Sequence, residues 1–129
     1  MPTIRFQVLY VFLVLAHDRR RILHFNVTVK AMGIKEVLSA PRSPWQRAYV
    51  ERVIGTIRRE CLDHVIVFNQ ATLYQHLKAF AAYYHESRTH LSLAKDTPET
   101  RPVQSAEVER IVAIPQLGGL HHPYERRAA

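Results

Sequence analysis

The sequence is poor in cysteine, since Cys61 is its only one. A single thiol excludes an internal disulfide framework and fits a reducing compartment. Cys61 falls among apolar residues at helical spacing, so we predict that it packs in the core and is not a nucleophile. Apolar runs long enough to cross a membrane are also missing. The run at residues 8–16 has about half of the ~20 residues that a membrane span needs. No secretion signal precedes them, and we therefore predict a soluble, cytoplasmic protein without a membrane partner.

Glycine is scarce too, and its distribution excludes several kinds of site. The four glycines form no phosphate-cradling loop of the P-loop type and no Gly-x-Ser-x-Gly nucleophile turn. His85 and His90 are five positions apart, which does not align them on one helical face, and no cysteine accompanies them. We therefore predict no zinc site there, nor at the adjacent pair His121 and His122.

The composition is that of one small, basic, globular domain. The chain has 129 residues, of which 47% are hydrophobic. This fraction is typical of a globular protein and not of a disordered one. Eighteen lysines and arginines against eleven acidic residues give a formal net charge of +7. That balance favours a polyanionic partner such as nucleic acid, although a basic chain alone is a weak indication.

Residues 43–62 are predicted to form a helix with one acidic residue on a basic face. Ser43 followed by Pro44 is a typical start signal. An apolar stripe is expected at Val50, Val53, Ile54, Ile57 and Cys61. A different face carries Arg47, Glu51, Gly55 and Arg58, with Arg52 and Arg59 beside it. Two interpretations are open here: Glu51 is a metal ligand in a phosphate-handling site, or the face is a solvated salt-bridge surface.

The segment before this helix is predicted to be mostly strand. Residues 4–15 are rich in valine, leucine and aromatic residues, which indicates a strand buried on both faces. After a polar turn at residues 17–20, residues 21–29 form a second strand, and the two make a hairpin. Residues 34–40 are predicted as a further short strand, followed by a loop at 41–44.

The segment after this helix is predicted to be a second helix and an irregular end. Asn69 is a candidate cap for a helix over residues 70–85. Its apolar face consists of Leu73, Leu77, Phe80, Ala81 and Tyr84. Residues 88–102 are predicted as a loop, and residues 108–114 as a short strand or extended arm. Gly118 and Gly119 mark a turn before a basic, frayed tail.

Two strings of residues carry a resemblance to a known family. The first is Pro41-Arg42-Ser43-Pro44-Trp45-Gln46, continuing as Ala48-Tyr49-Val50-Glu51-Arg52 and Ile57-Arg58-Arg59-Glu60-Cys61-Leu62-Asp63-His64. The second is Tyr83-Tyr84-His85-Glu86-Ser87-Arg88-Thr89-His90-Leu91-Ser92-Leu93 with Asp96-Thr97-Pro98. Over residues 3–103 the chain resembles the integrase catalytic core, and more narrowly the DDE transposases of bacterial insertion sequences and the retroviral-type integrases.

The resemblance implies an α/β, partial ribonuclease-H-like fold with an incomplete central sheet. It comprises a β-hairpin, one further short strand and two long helices, within a partial core domain at residues 1–103. Residues 104–129 would be a C-terminal extended arm and basic tail. In the family, two Asp and one Glu hold two Mg²⁺ or Mn²⁺ ions, and Glu51 matches the Glu. The family usually has Asn where this chain has Arg47.

The resemblance also implies that the other two metal ligands are missing. The strand bearing the first Asp would precede Met1, and residues 29–34 follow the third strand directly where the family has a crossover helix and the strand of the second Asp. The chain therefore resembles a family member truncated at its start and internally deleted. Asp18 has a suitable spacing but falls in a hairpin turn, and Asp63 lies about 18 Å along the helix from Glu51. We expect no bound metal pair and no DNA cutting or joining.

The predicted DNA-contacting residues surround Glu51. They are Arg42, Trp45, Arg47, Arg52, Arg58 and Arg59. Such residues contact phosphates without reading sequence, so binding is expected to be weak, non-specific and salt-dependent. The alternative is that Trp45 packs under the loop and the arginines are only solvated. Arg88 and His90 are predicted to be structural, tying the loop after the second helix back to the fold.

Three functional hypotheses follow. The chain is a transposase-derived fragment without catalysis, a non-catalytic DNA-binding or oligomerising module that modulates an intact transposase, or an enzyme completed by separate pieces. Its expected partners are DNA, a second copy of itself or an intact transposase. Loss of a central strand exposes a sheet edge and an apolar helix face, which argues against a stable monomer.

Overall fold

Two short antiparallel sheets and two long helices make up the part of the chain that the structure describes. The structure is a computed structural model, and it describes residues 8–16, 20–29, 44–107 and 110–128, with the backbone alone for 44–47. The elements in order are β1 (Tyr10–Leu15), β2 (Ile22–Thr28), α1 (Pro44–Glu60), α2 (Gln70–Glu86), β3 (Arg110–Ala113) and β4 (Tyr124–Arg127). This is the α/β architecture expected for a partial ribonuclease-H-like fold.

Strands β1 and β2 form the predicted hairpin, but β1 is not buried on both faces. The strands pair antiparallel, with Val11 opposite Val27 and Phe12 opposite Asn26. Val27 is 1% exposed, because α2 packs against this side of β2. On the opposite face Tyr10 is 46% and Phe12 37% exposed. The prediction of a doubly buried strand was wrong, since a continuous apolar run also suits a strand that is covered on one face only.

Helix α1 begins at Pro44 as predicted, and it buries a different side from the one expected. Val53, Ile57 and Cys61 lie in the core, which confirms three positions of the predicted stripe. Val50 and Ile54 are exposed, and the polar Thr56 is buried instead. The helix is therefore turned so that Thr56, and not Ile54, faces the core. The threonine side chain is small enough to pack against the core. A prediction from hydrophobicity alone would have buried isoleucine in preference to threonine.

Helix α2 agrees with its prediction at the cap and on the buried face. The Asn69 side chain accepts a hydrogen bond from the Thr72 backbone N–H at 2.9 Å. The buried residues are Leu73, Leu77, Phe80 and Tyr84, and they join Val53, Ile57, Cys61 and Val27 in a single hydrophobic core. α2 is therefore the central support on which both α1 and the first hairpin rest.

The C-terminal segment is more ordered than predicted. A strand at residues 110–113 confirms part of the expectation for 108–114. The prediction of a frayed tail was wrong, because Tyr124–Arg127 form β4, which pairs antiparallel with β3 so that Arg127 lies opposite Arg110. Gly118 and Gly119 have φ values of +66° and +91°, which suit glycine in the connecting turn. The division of the chain at residue 103 remains a prediction.

Several predicted elements lie outside the described residues. These are residues 4–7 of the first predicted strand, the turn at 17–19, the short strand at 34–40 and the loop at 41–43. Across the segments that are described, neither helix has both the length and the apolar content needed to cross a membrane.

Candidate nucleic-acid interface

Glu51 lies in the middle of α1, exposed to solvent. Val53 and Ile57, two and six positions further on, are 2% and 4% exposed and fix the helix against the core. The carboxylate is therefore held on a rigid element and directed away from the core. Within the described segments no cationic group lies within 4.0 Å of it.

The acidic residues that the sequence analysis weighed as partners of Glu51 do not complete a metal site with it among the described residues. Asp63 follows the end of α1, in a short turn at Leu62–His64, and lies 3.5 Å from Arg58 Nε. Asp18 is outside the described residues. Within those residues no group of three potential ligands is close enough to hold a cation. A two-metal site of the kind that the resemblance implies needs carboxylates converging on one point, and within the described residues Glu51 does not belong to such a group.

The arginines of α1 divide between two sides of the helix. Arg52 and Arg59 are seven positions apart, as are Glu51 and Arg58, so each pair shares one side. All four are exposed. The Arg59 side chain folds back along the helix, since a Cβ added at Gly55 would lie 3.0 Å from its guanidinium. Of the other predicted contacts, Arg42 is outside the described residues, and only the backbone is described for Trp45 and Arg47.

Tyr49 holds the N-terminal half of α1 against the first hairpin. Its hydroxyl donates to the carbonyl of Ala16 at 3.5 Å, and the Arg20 guanidinium lies 5.4 Å from its ring centre. Burial raises the pKa of Tyr49 well above its usual value, and the neighbouring Tyr84 adds to the shift. Tyr49 is therefore a neutral packing residue that connects α1 to the first hairpin.

A half-buried ion pair fixes the C-terminal end of α1. Arg88 donates from Nε and from its second terminal nitrogen to the two carboxylate oxygens of Glu60, at 2.8 and 2.7 Å. The hydrogen bonds from Glu60 raise the pKa of Arg88 further. This bidentate geometry is the strong form of an arginine–carboxylate contact. It confirms that Arg88 ties the loop after α2 to the fold, and sequence analysis had missed its partner Glu60.

His90 is buried beside this pair and is also structural. Its Nδ1 accepts from Arg88 at 3.4 Å, and its ring meets the Tyr84 ring edge-on at 4.8 Å between centroids. Its backbone N–H donates to the Asp96 carbonyl at 2.9 Å. Burial lowers the pKa of His90 to about 4, and the nearby Arg88 contributes to the shift. Its buried Nε2 has no hydrogen-bond partner among the described atoms.

Two histidines satisfy the last carbonyls of α1. His64 Nε2 lies 2.9 Å from the Arg59 carbonyl oxygen, and His121 Nε2 lies 2.9 Å from that of Glu60. The His121 ring also stacks on Tyr83 at 4.1 Å. Terminal carbonyls of a helix lack partners within the helix, so each imidazole N–H supplies a missing donor. Sequence analysis missed both contacts, because each depends on where the chain returns in space.

Cys61 and His85 have packing roles. Cys61 is 0% exposed, which confirms the core assignment, and burial raises its thiol pKa to about 11. His85 Nε2 accepts a hydrogen bond from the Ile22 backbone N–H at 2.9 Å. Burial lowers the pKa of His85, which keeps the imidazole neutral and able to accept. His85 thereby links α2 to β2.

Comparison with known protein families matches residues 32–98, slightly more than half of the chain, to the integrase core domain. The matched range contains α1, α2 and the loop that holds Arg88 and His90. Neither the curated proteins nor the solved structures gave a match.

Proposed function

The chain belongs to the integrase core family, and on that premise we propose that it is a transposase- or integrase-derived protein that contacts DNA without cutting or joining it. The observation that supports this proposal is the charge around Glu51. The exposed carboxylate shares its helix with the exposed Arg52 and Arg59, and the described residues contain no group of three potential metal ligands. Such a surface attracts a phosphate backbone but does not assemble a pair of divalent cations.

The DNA contact is assigned to the side of α1 that carries Arg52 and Arg59, and Arg42, Trp45 and Arg47 remain further predicted contacts. Both described arginines are exposed and free of a described ion pair. Arginines of this kind neutralise phosphates and release counterions, so affinity falls as salt rises. Weak binding without sequence preference is the expected behaviour.

Salt-dependent fluorescence anisotropy with a duplex oligonucleotide tests this contact. Replacing both Arg52 and Arg59 by alanine is expected to weaken binding to any sequence and to reduce the slope of log affinity against log salt by about two. The Lys78→Ala, Lys95→Ala double variant removes two exposed cations away from α1, so it serves as the matched control and is expected to have a smaller effect. Equal losses in the two variants would show that the side of α1 has no special part in binding.

The catalytic part of the proposal has its own assay. Nicking and strand transfer are measured with Mg²⁺ or Mn²⁺, the ions that the family uses, and the chain is expected to show neither activity. We propose that it binds no catalytic metal pair. Activity that disappears in Glu51→Gln would overturn this, because it would place Glu51 in a working site.

A second candidate function is a non-catalytic oligomerising module, located in the cytoplasm, that modulates an intact transposase. The observation that favours it is the outer face of the first hairpin, where Tyr10, Phe12 and Val14 are 46%, 37% and 36% exposed. Contiguous exposed apolar side chains often mark protein interaction surfaces. Co-expression with an intact transposase is expected to suppress transposition. Restored activity of a defective transposase would instead support assembly of an enzyme from separate pieces.

A further inference from the structure

The solvent face of α1 has a self-complementary pattern that the proposed DNA contact does not use. Glu51, Ile54, Gly55 and Arg58 are spaced i, i+3, i+4 and i+7, so they form one line along the helix. Ile54 is 51% exposed at the centre of this line, and the Arg58 side chain is 76% exposed at one end. We call these four residues the α1 seam.

The α1 seam has an acid and a base at equal distances from its centre. Its midpoint lies between Ile54 and Gly55, with Glu51 before it and Arg58 after it at matching separations. When two such helices cross antiparallel about a two-fold axis at that midpoint, each Glu51 meets the Arg58 of the other copy. We propose that α1 is a self-association helix, which pairs with a second copy of this chain through the α1 seam.

The chemistry of the four residues favours this arrangement. Association removes Ile54 from water in both copies, and Gly55 opposite it allows a close approach of the two backbones. Glu51 has no ion pair in the described part of the chain. Arg58 has a long contact of 3.5 Å to the half-exposed Asp63. Such an exposed ion pair contributes little, so Arg58 can readily leave Asp63 for Glu51 of the second copy. The Arg59 guanidinium over Gly55 is the end of a flexible side chain and can move aside.

A second copy fits the α1 seam better than a nucleic acid does. A phosphate backbone repels Glu51 and makes no favourable contact with Ile54. Arg52 and Arg59, the proposed DNA contacts, lie on an adjoining side of the helix. The seam itself has balanced charge, with one acidic and one basic group flanking an apolar residue. One helix pair buries less surface than a standard stable interface, so we expect a weak dimer with dissociation in the micromolar range.

Charge reversal with re-pairing tests the proposal. Sedimentation equilibrium of the full chain, without DNA, is expected to show a monomer–dimer equilibrium. Glu51→Arg alone and Arg58→Glu alone are each expected to weaken the dimer at least about tenfold, because both place like charges opposite each other. An equimolar mixture of the two variants is expected to regain association, since in the mixed dimer every charge again faces its opposite. The variant carrying both changes is expected to regain it as well.

Two controls separate the α1 seam from general charge effects. Lys78→Glu makes the same change of charge on the exposed side of α2 and is expected to leave association unaltered. Asp63→Asn releases Arg58 from its present contact and is expected to maintain or strengthen association. Circular dichroism confirms that each variant is folded. A monomeric wild-type chain at millimolar concentration, or a mixture that fails to associate, would overturn the proposal. Because association is measured without DNA, its result does not depend on whether the proposed DNA contact is correct.

Discussion

Single residues at the end of α1 contribute much of the fixed geometry of this chain. The side chains of Glu60 and Arg88 are 28% and 24% exposed, and they join α1 to the loop after α2 across 28 positions of sequence. Removing one partner leaves the other charge half-buried and without its hydrogen bonds, which costs more than the pair itself contributes.

We predict that Arg88→Ala lowers the free energy of unfolding by about 2–3 kcal/mol. Arg88→Lys is expected to recover only part of this loss, because an ammonium group cannot make the bidentate contact. Urea denaturation of the three proteins measures both effects. The Glu60→Gln, Arg88→Met double variant should be less destabilised than the sum of its single changes, and simple additivity would contradict a direct coupling.

His90 makes the stability depend on pH in a defined window. The pKa of His90 is about 4 in the folded chain against an ordinary value of 6.5, with burial as the main cause and Arg88, Arg20 and Glu60 as its charged neighbours. Between these values the unfolded chain binds more protons, so stability is present above pH 6.5 and is lost as pH falls towards 4. We predict a loss of about 3 kcal/mol at most from this residue.

Chemical denaturation at a series of pH values measures the effect. His90→Gln is expected to be less stable at pH 7 but to lose less stability on acidification. A residual slope should persist, because His85 also has a lowered pKa. An unchanged slope in His90→Gln would show that other groups control the dependence.

At the scale of elements, the two helices show what the sequence is able to predict. Both are long and have clear start signals, and their ends were predicted to within a few residues. Four of the five residues predicted for the apolar face of α2 are buried and Ala81 is half-buried, since the apolar residues of this helix form one continuous stripe. The buried face of α1 was predicted only in part, because Val50 and Ile54 are exposed and Thr56 is buried instead. Which of these residues faces the core depends on how α1 packs against α2 and the hairpin.

The cap of α2 gives a prediction at this scale. Asn69 Oδ1 accepts from both the backbone N–H and the hydroxyl of Thr72, at 2.9 and 3.1 Å. Asn69→Ala is expected to cost about 1 kcal/mol of stability, because the first turn loses a partner for one of its free N–H groups. Asn69→Asp keeps an acceptor and should be close to wild type. Thermal unfolding followed by circular dichroism distinguishes them, and equal losses would assign the effect to something other than capping.

At the scale of the whole molecule, the C-terminal segment is joined to the integrase core by His121. This residue reaches the Glu60 carbonyl and stacks on Tyr83, so it contacts both helices. We predict that His121→Ala increases hydrogen exchange at residues 110–127 far more than at α2, because the hairpin loses its attachment while the core is retained. His122→Ala, an exposed neighbour, is the control and should change neither region. Equal protection in both variants would contradict an anchoring role.

The candidate site was less predictable than the elements that carry it. Glu51 and its arginines were identified from spacing and resemblance, and the structure places the described ones on exposed sides of α1. Their proposed roles remain predictions. The Glu60–Arg88 pair and the His121 contact could not be predicted, because they join positions 28 and 61 residues apart and depend on three-dimensional packing. The order of the C-terminal hairpin was missed because β3 and β4 are only four residues each.

The support of the first hairpin has a consequence for biosynthesis. Gln70 donates to the Val27 carbonyl, and His85 accepts from Ile22, across 43 and 63 positions of sequence. A ribosome adds about 5–20 residues per second, so the two apolar strands wait roughly 3–12 s after their own translation before His85 is made. During that interval the face of the nascent hairpin that α2 covers remains exposed, and a chaperone that binds apolar strands would find its target there before any other part of the polypeptide.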